Sequence, residues 1–79
     1  MKFFQRLFST EAIVIKEGQA SCIKGKRTRR LLIEIADVAR DCGVESGELW
    51  IDKLGRVEFS KEFSEKSQQR IRNVLAAHN

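Results

Sequence analysis

The β-branched run Ala12-Ile13-Val14-Ile15-Lys16 predicts a strand, and Glu17-Gly18 after it predicts a two-residue hairpin turn. Pairing Lys16 with Gln19 sets Ile15 against Ala20 and Ile13 against Cys22 on one face. Val14 with Ser21, then Ala12 with Ile23, fall on the other. Gly25 ends the second strand. Between the candidate N-cap Thr28 and Gly43, the residues Leu31, Leu32, Ile35, Val38, Ala39 and Cys42 recur at helical spacing. Glu48-Leu49-Trp50-Ile51-Asp52 opens a second hairpin, turned by Lys53-Leu54-Gly55 with glycine at the left-handed position. That turn pairs Leu49 with Phe59 and Ile51 with Val57 on the inner face, and leaves Trp50 opposite Glu58 and Asp52 opposite Arg56 outside. Ser64 caps a last helix from Glu65 to about Ala77, with Ile71, Val74 and Leu75 inward.

Hairpin, helix, hairpin, helix is a ββαββα order in the α+β class. Each hairpin has one apolar face and each helix one apolar stripe. The economical assembly is a four-stranded, mainly antiparallel sheet with both helices on one face. Leu31, Ile35, Val38, Leu49, Ile51, Val57, Phe59, Ile71 and Leu75 form its predicted core. Residues 1–10 are read as a short N-terminal amphipathic segment, with Phe3, Phe4, Leu7 and Phe8 on one side, and 11–79 as a single domain.

Size and composition narrow the function. The chain has 79 residues, 42% hydrophobic and 33% charged, so it folds as one domain with a thin core and no room for a deep substrate cavity. No uncharged run approaches the roughly 20 apolar residues of a membrane span. The first residues carry charge without the apolar stretch of a signal peptide, which points to the cytoplasm. Cys22 and Cys42 read as small, reduced, buried residues. With His78 as the one histidine, next to the last residue, the chain lacks a metal ligand set and a Cys–His or Ser–His pair. It has no phosphate-cradling glycine motif either. No enzyme activity, metal, cofactor or small-molecule substrate is expected.

Two features carry a functional signal. The first is Lys24-Gly25-Lys26-Arg27-Thr28-Arg29-Arg30, where Lys24, Lys26, Arg27, Arg29 and Arg30 enter the first helix. Guanidinium groups fork onto phosphate oxygens, so this run predicts a nucleic-acid-binding module whose partner is RNA or DNA. Against it stand Glu34, Asp37, Asp41, Glu45, Glu48 and Asp52, which can neutralise the basic run. Gln68, Gln69, Arg70, Arg72 and Asn73 on the last helix could add base or phosphate contacts. The second feature is Trp50 on the outer sheet face beside Val14 and Ile23, which predicts self-association or a protein partner as the alternative. Cover by the N-terminal segment would equally account for that tryptophan.

Gly18, Lys24-Gly25, Gly47-x-Leu49, Phe59-Ser60-Lys61-Glu62 and above all Gln68-Gln69-Arg70-Ile71-Arg72-Asn73-Val74 resemble one family. It is the family of short bacterial proteins known as domain of unknown function 3634, and the resemblance spans roughly residues 12–75. It implies no reaction, ligand or cofactor. Many of its members begin with a membrane-spanning segment; Lys2, Arg6 and Glu11 depart from that pattern, so attachment is not carried over.

Overall fold

A computed structural model describes residues 9–78. The strands are β1 (Ser9–Lys16), β2 (Gln19–Lys24), β3 (Ser46–Asp52) and β4 (Val57–Phe59); the helices are α1 (Arg29–Asp41) and α2 (Glu65–Ala77). The order is ββαββα, and all strand pairings in the β2-β1-β3-β4 sheet are antiparallel. The predicted amphipathic segment lies outside the described residues up to Phe8, and β1 already begins at Ser9, ahead of the expected boundary.

Local chemistry sets the helix limits. Thr28 Oγ1 accepts from the Leu31 amide at 3.2 Å, and Ser64 Oγ accepts from the Ser67 amide at the same distance. Such caps contribute about 1 kcal/mol each. Gly43, with φ of 77°, follows the end of α1. The stripe of α1 and that of α2 meet Ile13, Ile15, Leu49, Ile51 and Phe59 in one core, so both helices lie on one sheet face. Val44 and Phe63 join the buried set, and of the two polar residues, Ser67 and Gln68, that the last helix could turn inward, Ser67 is the buried one. Val57, expected in the core, is only half-buried, because β4 is a three-residue edge strand that packs from one side.

The second hairpin keeps the predicted register: Leu49 pairs Phe59, Trp50 pairs Glu58 and Ile51 pairs Val57. Asp52 accepts from the Leu54 and Arg56 amides and from Arg56 Nε, which fastens the turn. The first hairpin keeps it from Lys16–Gln19 to Ile13–Cys22, and then departs. Ala12 pairs Lys24 rather than Ile23, because Ile23 is an extra residue bulging from β2.

The outer sheet face is buried in part. Trp50 lies on it as expected but is 4% exposed, with Ala12 at 5% and Ser9 at 4%. Neither Trp50 nor Ala12 belongs to the main core, so a second, smaller buried patch exists on the far side of the sheet. Cys22 and Cys42 are half-buried free thiols rather than fully buried.

Two aspartates tie stability to pH. The Asp41 carboxyl is held below the usual range by the Arg70 hydrogen bond and then by that guanidinium's charge. Asp52 is lowered first by the Arg56 amide, helped by the Arg56 side chain and the Leu54 amide. A lowered folded pKa gives stability that is present above the unfolded value and lost as pH falls through the folded one. The urea midpoint is therefore expected to drop between roughly pH 5 and pH 2, and less steeply in an Asp41→Asn/Asp52→Asn double variant. Parallel titration curves for the two proteins would contradict this.

Candidate functional site

The basic run leaves the sheet at the end of β2 and turns back across the start of β1. Gly25 permits that path. Its φ is +80°, and a Cβ there would sit 2.9 Å from Glu11 Cγ and 3.0 Å from the Thr10 carbonyl. The close approach brings Arg27 onto Glu11, with Nη2–Oε1 at 2.7 Å and Nε–Oε1 at 3.0 Å. Both side chains are about four-fifths buried, at 19% and 22% exposure. Of the five predicted phosphate-binding cations, Arg27 is thus a fastener between the loop and β1.

The other four face solvent. Lys24, Lys26 and Arg29 are exposed and form no ion pair among the described residues. Arg30, its side chain 86% exposed, stands 3.6 Å from Glu34 one turn along α1. Glu34 also meets His78 Nε2 at 3.1 Å, which ties the end of α2 to α1. The first turn of α1 contains no acid. Arg29 and Arg30, in the first turn of α1, oppose its dipole, so intrinsic stability does not account for their placement.

The acidic block, which could have neutralised this run, is largely engaged elsewhere. Asp37 pairs with Arg40, Asp41 with Arg70 at 2.6 Å, and Asp52 with Arg56 at 2.7 Å. Only the Arg30–Glu34 contact joins the two blocks among the described ion pairs.

The polar face of α2 is less available than its sequence suggests. Arg70 holds Asp41, and Arg72 lies 5.1 Å from the Phe59 ring centroid. Gln68 donates to the Phe63 carbonyl and Gln69 to Asn73. The outer-face trio is also divided. Ile23 is 56% exposed, Val14 half-buried and Trp50 buried. The sequence reading missed Arg40, which donates to the Gly18 carbonyl at 2.6 Å and clips the first hairpin turn to α1. It also missed Ile33 and Ala36, which extend a second stripe along α1.

Among the described residues, no three His, Cys, Asp or Glu side chains converge on a metal position, and no helix is long and apolar enough to cross a membrane. The molecule is a small ββαββα domain whose cationic loop, leading into the first helix, is compensated only at Arg27 and Arg30 among the described ion pairs. The chain belongs to the family described as protein of unknown function (DUF3634), which it matches over residues 4–79. No curated protein and no solved structure matches it.

Proposed function

We propose that this protein is a non-enzymatic module that binds the phosphate backbone of nucleic acid through Lys24, Lys26, Arg29 and Arg30. The observation that carries this reading is the separation of charge: Asp37, Asp41 and Asp52 are answered by Arg40, Arg70 and Arg56, which leaves Lys24, Lys26 and Arg29 without an ion pair among the described residues. A net charge of +4 adds long-range attraction. The described aromatics, Trp50, Phe59 and Phe63, are all buried, so the described surface offers no platform for stacking bases. Recognition of backbone rather than base follows, with weak dependence on sequence. The cytoplasm suits both this ligand and two unpaired thiols. A protein-docking role for the outer face has less support, since its tryptophan anchor is already covered.

Fluorescence anisotropy with a labelled duplex tests the reading. Four phosphate contacts predict a log–log salt slope of about −3.6 for duplex DNA, falling to about −1.8 in Arg29→Gln/Arg30→Gln. Arg27→Gln should leave the slope unchanged while lowering stability, because Arg27 spends its charge on Glu11. Absence of binding at low salt to DNA and RNA, single- and double-stranded, would sink the proposal.

A further inference from the structure

Beside the cationic loop, α1 overhangs the edge of the sheet. β2 is an outermost strand, with β1 on one side only. A two-residue turn makes Lys16 and Gln19 a hydrogen-bonded pair, so the bonding alternates: Gln19 and Ser21 turn their main-chain groups to β1, whereas Ala20 and Cys22 turn theirs outward. Neither Ala20 nor Cys22 makes a main-chain bond to a turn, loop or cap among the described residues. Two amides and two carbonyls therefore stand open along the edge.

A groove of about 370 Å³ runs between this edge and α1. Its helix wall is the stripe Arg29, Ile33, Ala36, Arg40, joined by Leu32, and its strand wall is Gly18 to Ala20. The stripe has helical spacing and lies beside the core stripe. Ile33 is 52% exposed, an unusual state for an isoleucine beside an open strand edge. Arginines stand at both ends. Arg29 makes no ion pair among the described residues, while Arg40 is held by Asp37 and Gly18. No acidic residue lines the groove, and none occurs in β2.

We infer that this edge takes an extended acidic peptide of a partner protein as a fifth strand. Open main-chain groups in alternation fit another extended backbone, and they fit neither a duplex nor a small molecule. Every second side chain of the added strand would enter the groove against Leu32, Ile33 and Ala36, which calls for apolar residues there. Carboxylates in the intervening positions lie on the other sheet face, beside Lys24, and one at the end of the strand complements Arg29 and Lys26. A second copy of this chain is disfavoured as the occupant, because β2 has no carboxylate to answer these cations. The bulge at Ile23 closes the open stretch, so the added strand is short. The groove itself contains only Arg29 of the phosphate-binding loop, but an acidic strand would also draw on Lys24 and Lys26, so peptide and nucleic acid compete for these cations.

The test uses the full chain, isotope-labelled for NMR, and a capped pentapeptide Val-Asp-Val-Glu-Val as probe. Saturable binding is expected, with hydrogen-exchange protection of the Ala20 and Cys22 amides rising by about tenfold or more at saturation. Ile33→Asp, at a half-exposed position, should weaken binding at least about fivefold with an unchanged circular dichroism spectrum. Methylating the peptide's backbone nitrogens should abolish binding. Absence of saturable binding, equal binding of the methylated peptide, or binding without protection at Ala20 and Cys22 would each overturn the inference. Protection of those amides that rises with protein concentration alone would overturn it in favour of self-pairing.

Discussion

Trp50→Ala is expected to cost about 3–5 kcal/mol of stability, the range for emptying a buried aromatic site. At about 0.05–0.15 kcal/mol per residue, a domain of this size has roughly 4–12 kcal/mol in total, so the variant is at the limit of folding. The reason is position as well as size. Trp50 lies between Ala12 on β1 and Glu58 on β4, and it is 4% exposed on the face that carries neither helix. Had this face been an open docking surface, replacing the tryptophan would leave folding intact. The exposed neighbour Ile23 serves as the contrast, since Ile23→Ala should change stability by less than about 0.5 kcal/mol. Urea titration followed by circular dichroism measures both. The intact chain should also show blue-shifted emission shielded from a soluble quencher. A Trp50→Ala loss below about 1 kcal/mol would contradict the burial.

The second large effect joins Gly47 to Phe63. A Cβ at Gly47 would sit 2.6 Å from Phe63 Cε2 and 3.2 Å from both Phe63 Cζ and Ser60 Oγ. Phe63 is 4% exposed and packs edge-on to Phe59, with centroids 5.3 Å apart. Ser60 is fixed as well, because its hydroxyl accepts from the Glu48 amide and its own amide donates to the Glu48 carbonyl. The ring cannot shift without disturbing the core, so Gly47→Ala should cost about 1–3 kcal/mol by overpacking. Phe63→Ala alone should cost about 3–5 kcal/mol. With the ring gone, the added methyl has space, and Gly47→Ala should then cost less than about 0.5 kcal/mol. Additive losses in this double-mutant cycle would show that the two residues do not meet. The cycle also gives a physical reason for the glycine in Gly47-x-Leu49.

The helices were legible from the chain because their signals are local. A cap, a stripe and a terminal glycine all lie within one element, and Thr28, Ser64 and Gly43 do what their positions suggest. The second hairpin was legible for a related reason: once Gly55 fixes the turn, the pairing of Leu49 with Phe59 follows by counting. Ile23 broke the first count because a bulge needs no marker residue. The candidate site was half legible. Five cations stand out in any reading, but which of them is neutralised depends on Glu11, sixteen residues before Arg27 in sequence and brought to it by the path at Gly25. Burial of Trp50 depends on what covers a whole sheet face, which alternation along one strand does not encode. Ile33 was passed over because Leu31 and Leu32 before it already satisfied the core stripe.

The sheet order has a consequence for synthesis on the ribosome. β1 is interior, with β2 on one side and β3 on the other, although β3 ends only at Asp52. A nascent chain can close the first hairpin and lay α1 against it. Until β3 emerges, however, β1 keeps an unpaired edge, and Ile13 and Ile15 lack Leu49 and Ile51 beside them. The partly made protein is then at its stickiest. Chains that stall before Asp52 are therefore the species most in need of a chaperone, and the finished fold removes that hazard by pairing the earliest described strand on both sides.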